Sequence, residues 1–239
     1  MALLRRPRPV APPGTFDRID DVRSAIRTLY TRLPVKAFGT LELPPPPGRD
    51  PLVEAQHTAA AMTRHLGIGD TRVIVAFSPL GGHVGEVELG PGPEYFVTLS
   101  PHYQDDPRDI PAVLAHEVMH IFLHRHGLSQ AEIFVDTATL YLGIGRPMLA
   151  AYRVDVLQGR YTRRRTTSRV GYLSPPEMGY VLAKRALAFG EEVRPFTGAA
   201  DGAYRLGHER ALSDYARLPL GRRVTARCPT CSSLFRCQT

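Results

Sequence analysis

The first part of the chain holds two segments that are predicted to be helices, and in the first of them apolar residues recur every three or four positions, as on one face of a helix. One segment covers 17–32, and its apolar face is formed by Ile19, Val22, Ile26 and Leu29. The other covers 51–66, where a proline suits the first helical turn and the glycine that follows suits a C-terminal stop. The Pro-rich tract 43–48 between them predicts an extended linker. We therefore expect two helices before any strand.

Three short runs rich in β-branched and aromatic residues follow the second predicted helix, at 72–77, 84–89 and 95–99. Glycine and proline separate these runs, which is typical of tight turns between adjacent strands. The pattern predicts a small antiparallel meander.

Three more helices are predicted from their N-terminal caps and apolar spacing. Asp106, followed by proline, caps the first, and S-x-x-E capping boxes at 129–132 and 174–177 precede the other two. These helices are predicted to end near His126, Leu142 and Gly190. The Arg-rich segment 144–170 is expected to be irregular or weakly helical. The predicted fold class is α+β, a small antiparallel sheet packed by helices that include one active-site helix.

Charge is distributed unevenly along the 239 residues, which carry 30 Lys and Arg against 23 Asp and Glu. The segments 1–10, 144–170 and 217–236 hold net charges of +3, +6 and +5, so the rest of the chain sums to −7. The net +7 therefore reflects basic patches on a mildly acidic body, and it does not by itself indicate a nucleic-acid-binding protein.

The densest basic run consists of Arg160, Arg163, Arg164, Arg165 and Arg169. One interpretation is a solvated loop. The other is a docking surface for an acidic partner or a nucleic acid, whose signature would be binding that weakens steeply with salt.

His116, Glu117 and His120 form the pattern H-E-x-x-H inside the third predicted helix. Residues four apart lie about 40° from each other around a helix and about 6 Å apart along it, so both imidazoles can reach one metal ion. The glutamate can take a proton from a water at that ion and return it to a leaving amine. The motif predicts catalytic Zn²⁺ bound by both histidines, with Glu117 as the general base.

A catalytic zinc needs a third protein ligand. Glu132 and Asp136 lie four residues apart on the next predicted helix, so Glu132 could bind the metal while Asp136 supports a histidine. The reverse assignment, with Asp136 as the ligand, stays open, and so does a purely capping role for Glu132. His126 is disfavoured because a leucine stands where the chain would have to turn. His124 is disfavoured because it lies two turns from the first histidine.

These residues resemble small gluzincin-type bacterial zinc metallopeptidases, including the intracellular ImmA/IrrE-like class. The resemblance is carried by H-E-x-x-H within 114–124, by the E-x-x-x-D pair at 132–136 and by the glycine-containing run 142–145. The segment 171–183 is also similar to one that follows the metal site in related bacterial proteins. Altogether the similarity covers about residues 70–190.

The resemblance implies a zinc-dependent peptidase that hydrolyses a peptide bond in a protein or peptide substrate. It implies His116, His120 and Glu132 as metal ligands, Glu117 as general base and Asp136 as the residue that supports a histidine. The spacing departs from that of thermolysin-like enzymes, because only eleven residues separate His120 from Glu132.

A peptidase of this kind needs a surface that aligns the substrate. The predicted strand 95–99 immediately precedes the H-E-x-x-H helix, so we expect it to border the cleft and to pair with an extended peptide. A second donor to the oxyanion is also expected, and the candidates are His102, Tyr172 and Tyr180.

The three cysteines, Cys228, Cys231 and Cys237, all lie within the last twelve residues. Their spacing predicts a knuckle-like structural zinc, for which His208 or a partner chain would have to supply the fourth ligand. A redox or free-thiol pair and an incidental cluster are the alternatives. The predicted organisation is thus a flexible Pro-rich lead at 1–14, a zincin-like domain at 15–216 and a basic tail at 217–239.

The N-terminus is basic but is followed by prolines instead of an apolar run, and no stretch approaches the ~18 uncharged apolar residues of a membrane span. A cytoplasmic protein is therefore expected. The rival functional hypothesis is a zinc-ribbon module that binds nucleic acid or protein, with a structural or vestigial H-E-x-x-H site.

Overall fold

The computed structural model of the protein describes residues 15–34, 38–43, 50–158, 163–216, 223–227 and 234–238. Within these ranges the helices are α1 Ile19–Arg32, α2 Pro51–His65, α3 Ile110–Arg125, α4 Glu132–Tyr141, α5 Arg146–Ala150, α6 Pro175–Phe189 and α7 Gly198–Ala216. The strands are β1 Arg72–Phe77, β2 Gly85–Glu88, β3 Glu94–Leu99, β4 Arg153–Gln158, β5 Arg163–Ser168, β6 Arg223–Arg227 and β7 Leu234–Gln238. The fold class is α+β, as predicted.

The first three strands form one sheet in the order β1-β3-β2. β3 pairs antiparallel with β2 but parallel with β1, so the predicted antiparallel meander is wrong for one of its two pairings. Burial explains the order: Tyr95, Val97 and Leu99 of β3 are at most 3% exposed, which suits a central strand. β2, with the sequence Gly-Glu-Val-Glu, has little to bury and takes an edge.

Helix α3 forms the centre of the domain. Twelve of its 16 residues are buried, and it packs against α2, α4, α5 and the strands β2 and β3. A helix that is apolar almost all round is expected to lie in the core. The H-E-x-x-H motif is therefore held by packing on several sides.

The segment 144–170 was predicted to be irregular or weakly helical, and this is wrong. It contains the short helix α5 and an antiparallel hairpin of β4 and β5, in register from Arg153 opposite Ser168 to Gln158 opposite Arg163. The β-branched residues of this segment favour strands, a preference that its high arginine content obscures. Residues 159–162, which include Arg160, lie outside the described residues.

Helix α7 was not predicted from sequence, because its three glycines lower the helical propensity. Two glycines account for its close packing on α6. A Cβ at Gly207 would clash with the backbone nitrogen of Tyr180, and one at Gly179 would lie 2.7 Å from the carbonyl oxygen of Ala203. The absence of side chains lets the two backbones approach, and this packing outweighs the propensity cost.

The predicted capping box at 174–177 is confirmed. The Ser174 hydroxyl accepts from the Glu177 N–H at 3.4 Å, and Glu177 accepts from the Ser174 N–H at 2.9 Å. The box at 129–132 is wrong, because α4 begins at Glu132 itself and Ser129 instead accepts from the Ala131 N–H at 3.2 Å. The Glu132 carboxylate is therefore not used as a cap. The Asp106 cap is also displaced, since a 3-10 turn at Pro107–Asp109 precedes α3.

In the tail, β6 pairs antiparallel with β7. Cys237 lies in β7 opposite Val224, whereas Cys228 and Cys231 lie outside the described residues. The predicted lead at 1–14 lies outside them too. No helix among the described residues is long and apolar enough to cross a membrane.

Candidate metal centre

Helix α3 places His116 and His120 one turn apart, with their rings facing the same cleft. Their Nε2 atoms are 3.2 Å apart, and the rings lie nearly perpendicular at 77°. This follows from helical geometry, which brings positions i and i+4 to one face. Two nitrogen donors therefore converge on one point.

Helix α4 brings Glu132 to the same point. Its Oε2 atom lies 3.1 Å from Nε2 of His116 and 3.6 Å from Nε2 of His120. Despite this proximity, that oxygen is buried and has no hydrogen-bond partner among the described residues. An unsatisfied buried carboxylate oxygen is costly, and a cation between it and the two nitrogens would satisfy it. These three residues can hold a metal ion, and they are the one such group of His, Cys, Asp or Glu in the described part of the chain.

The outer nitrogens of both histidines are held by hydrogen bonds. Nδ1 of His116 donates to Oδ1 of Asp136 at 2.8 Å, and Nδ1 of His120 lies 2.8 Å from Oε1 of Gln130. These partners fix the ring orientation and leave each Nε2 facing the cleft, as is usual for metal-binding histidines. Asp136 thus lies on the side of His116 away from Glu132.

Asp136 is itself fully buried and fully engaged. Its Oδ2 accepts from the backbone N–H groups of Tyr172 at 2.5 Å and Leu173 at 2.9 Å. Gly171 makes this approach possible: its φ is +92°, and a Cβ there would come within 2.8 Å of Oδ2. The loop before α6 therefore wraps the carboxylate that orients His116.

Glu117 lies between α3 and the sheet, with 6% of its surface exposed. The pKa of its carboxyl is raised to about 7, chiefly by burial and in smaller part by the charges of Glu132 and Glu86, against the opposing effect of the nearby His116. Strand β2 passes directly over this side chain, because a Cβ at Gly85 would lie 2.9 Å from Oε1 of Glu117.

The two histidines and Glu132 also shift one another's pKa values. Burial lowers the pKa of His116, but the Asp136 hydrogen bond and the nearby Glu132 outweigh it and raise the pKa to about 10. Burial lowers the pKa of His120. The contact with His116 lowers the pKa of Glu132. A proton on His116 and a metal at its Nε2 therefore exclude each other.

A groove of about 390 Å³ opens over these residues. Its lining includes both histidines, Glu117 and Glu132, together with His83, Gly85, Glu86, Val87, Leu89, Gln130 and Tyr172. The Tyr172 side chain is 53% exposed, and its ring centroid lies 6.0 Å from that of His116. The expectation that strand 95–99 borders the cleft is wrong. β3 is the middle strand, and β2 lines the groove instead.

The other candidate residues lie elsewhere. His126 stacks on Phe122 and His124 contacts the edge of Tyr95, so neither joins the metal-binding group. His102 is exposed and bonds to Ser100. The Tyr180 hydroxyl donates to Asp214 at 2.7 Å. Of the three predicted oxyanion donors, only Tyr172 lines the groove.

His208 stacks against Tyr204 at 5.9 Å, so its ring is already packed within α7. The cysteines that it was expected to join at 228 and 231 are not described.

Sequence reasoning missed three residues of this site. Gln130 precedes α4 in a loop with no periodic signal, although an amide two residues before a candidate ligand could have been considered. Gly85 lies inside the predicted strand 84–89, where the sequence gives it no role of its own, and its role comes from a contact with a residue 32 positions away. Gly171 belongs to the segment with the family resemblance, yet its approach to Asp136 is a tertiary feature.

A scan against protein-family models, a search of the curated proteins and a search of the solved structures each found no match to this chain.

Proposed function

We propose that this protein is a zinc-dependent metallopeptidase of the small gluzincin type, cleaving a peptide bond in a protein or peptide substrate. The observation that carries the proposal is the buried Oε2 atom of Glu132, which lacks a hydrogen-bond partner among the described residues and lies against Nε2 of His116 and His120. Two imidazole nitrogens and one carboxylate oxygen are the donor set of catalytic zinc in one large class of peptidases.

The chemistry of the site agrees with this assignment. His116, His120 and Glu132 would hold the ion from one side and leave the groove side open to substrate. A bound zinc ion would supply Lewis-acid polarisation of the scissile carbonyl and of the attacking water.

Glu117 is the residue that moves protons in this proposal. Its carboxylate lines the groove next to the metal-binding group, where it can accept a proton from the attacking water and deliver it to the leaving amine. Gly85 leaves room for this carboxylate against β2, because a side chain at that position would occupy the space that the carboxylate fills. The Tyr172 hydroxyl is the available second donor to the oxyanion.

Strand β2 supplies the surface for an extended substrate. One edge of β2 pairs with β3, and no other described strand pairs with its second edge. A peptide lying in the groove can pair with that edge, which aligns its backbone across the metal-binding group.

The test uses the full chain reconstituted with zinc and a mixture of unstructured peptides of diverse sequence, with cleavage products read by mass spectrometry. We expect peptide-bond cleavage that a chelator abolishes and zinc restores. Glu117→Gln should keep its zinc and lose roughly 10²–10⁴-fold in rate, because it cannot take the proton. Glu209→Gln on α7, an exposed residue outside the groove, is the matched control and should cleave normally.

Two outcomes would contradict the proposal: full activity in Glu117→Gln, or a zinc-loaded wild type that leaves every peptide intact. The zinc content per chain must be assigned either to the groove or to the cysteines of the tail. A Cys228→Ser, Cys231→Ser double variant should retain the zinc held by His116, His120 and Glu132.

A further inference from the structure

The two faces of strand β2 carry different side chains. From Gly85 to Glu88 the strand alternates half-buried and exposed positions. Gly85 lies on the face toward α3, because a Cβ there would clash with the Val113 side chain. Since side chains alternate along a strand, Val87 lies on that face too, while Glu86 and Glu88 share the opposite face. Two carboxylates two residues apart therefore follow the strand that borders the groove.

Neither of these two carboxylates has a hydrogen-bond or ion-pair partner in the described part of the chain. Glu86 is exposed and lines the groove, and its charge contributes to the raised pKa of Glu117. Glu88 is exposed as well. Both side chains are therefore available to a ligand that lies along β2.

The groove as a whole is acidic. Glu86, Glu117 and Glu132 line it, and no lysine or arginine of the described residues does so. Glu117 is only 6% exposed and also has no hydrogen-bond partner among the described residues, which is expected where a ligand is to be received. A bound divalent cation balances two of the three negative charges and leaves one in excess. The groove therefore attracts positive side chains and repels negative ones.

A peptide paired with the free edge of β2 presents its own side chains alternately to the two faces of the sheet. Directly opposite side chains have their Cβ atoms about 5 Å apart, within reach of an ion pair. One basic residue can then face Glu86 while another, two positions along the peptide, faces Glu88. A basic residue directly adjacent to the first would lie on the other face. Recognition therefore depends on spacing as well as charge.

We propose that the groove selects peptides that carry two basic side chains separated by one residue, with the pair binding Glu86 and Glu88. This inference rests on the proposed function, because it names the substrate class of the same groove. It makes β2 the element that chooses the substrate, whereas His116, His120 and Glu117 belong to the chemistry.

Binding is measured by fluorescence anisotropy on zinc-loaded Glu117→Gln, which is expected to hold a peptide without cleaving it. Short labelled peptides of otherwise identical sequence carry two arginines separated by one alanine, two adjacent arginines, or two glutamates separated by one alanine. We expect the spaced arginine peptide to bind most tightly, the adjacent pair more weakly and the glutamate peptide not measurably. Binding of the spaced peptide should weaken as salt rises.

Glu86→Gln and Glu88→Gln, each combined with Glu117→Gln, should weaken the spaced arginine peptide about two- to fivefold, the usual contribution of one exposed ion pair. Both together should weaken it about tenfold. Glu209→Gln, an exposed carboxylate on α7 outside the groove, is the matched control and should bind normally.

Equal affinity for the spaced arginine and glutamate peptides, or unchanged affinity when both β2 glutamates are replaced, would overturn the proposal. Equal affinity for the spaced and adjacent arginine pairs would overturn the assigned spacing.

Cleavage by the wild type separates this inference from the peptidase proposal. Cleavage that is indifferent to basic residues would overturn the substrate class and leave the peptidase proposal standing. Charge-selective binding without any cleavage by the zinc-loaded wild type would contradict the peptidase proposal and leave β2 as a strand that binds basic peptides.

Discussion

Asp214 and Glu132 are both carboxylates held between helices, but their hydrogen bonding differs. Asp214 accepts from Arg23 with both oxygens and from the Tyr180 hydroxyl, joining α1, α6 and α7. Glu132 presents a buried oxygen with no hydrogen-bond partner among the described residues to two histidine nitrogens.

The contrast separates an architectural network from one that is arranged for a ligand. A carboxylate whose oxygens are all satisfied by the chain contributes to folding and has nothing left to bind. A buried oxygen without a hydrogen-bond donor destabilises the folded state. Such groups in native structures are often found at functional sites. Three substitutions, of Glu132, Asp136 and Asp214, test this contrast.

Glu132→Gln should have the largest effect, because it removes the charge that faces the two histidines. We expect zinc affinity to fall by more than the roughly 10–100-fold typical of residues that only support a ligand. Competition with a chromophoric chelator measures it. Asp214→Asn is the paired comparison and should bind zinc like the wild type. Equal zinc affinity in wild type and Glu132→Gln would contradict the role given to this carboxylate.

Asp136→Asn should weaken zinc by about 10–100-fold, because His116 loses a charged acceptor at Nδ1 while its Nε2 stays in place. The same chelator competition gives the value. An effect as large as that of Glu132→Gln would show that Asp136 is the ligand and that the two roles are exchanged.

Asp214→Asn should have its effect on folding, costing about 2 kcal/mol in the free energy of unfolding, because Arg23 loses a charged acceptor. Burial raises the pKa of Asp214, but the hydrogen bonds from Arg23 and Tyr180 outweigh it and leave the pKa below its ordinary value. The stabilisation is therefore fully present above the unfolded pKa of roughly 4 and is lost as pH falls through the folded pKa.

Urea unfolding of both proteins at pH values from neutral to strongly acidic checks this. The gap between wild type and Asp214→Asn should be constant at neutral pH and close in acid. Glu94→Gln is the control, because its exposed pair with Arg72 is worth at most about 1 kcal/mol. A gap that widens in acid would contradict the sign of the pKa shift.

Local pattern was sufficient for much of the fold. Helical spacing located α1 and α3, the flanking proline and glycine located α2, and the capping box at Ser174 located the start of α6. It failed at α7, where glycines that permit close packing on α6 resemble helix breakers, and at β4 and β5, where arginines obscured β-branched residues. The order of the sheet also escaped prediction, since it depends on which strand can bury more surface.

The candidate site, too, could be predicted from local pattern only in part. The H-E-x-x-H spacing places His116 and His120 together by helix geometry alone, and the E-x-x-x-D spacing puts Glu132 and Asp136 on one helix. Which carboxylate faces which nitrogen depends on how α4 packs on α3. No periodicity within either helix contains that information.

The Asp136 carboxylate connects the proposed metal ligand His116 with the backbone that precedes α6. One oxygen holds His116, and the other holds the amides of Tyr172 and Leu173 just before α6 begins. A change in the charge of the His116 imidazole changes how strongly the Asp136 carboxylate accepts hydrogen bonds from these two N–H groups. Those two amides are therefore built-in spectroscopic probes, whose chemical shifts and hydrogen exchange report occupancy of the site without a substrate or a label.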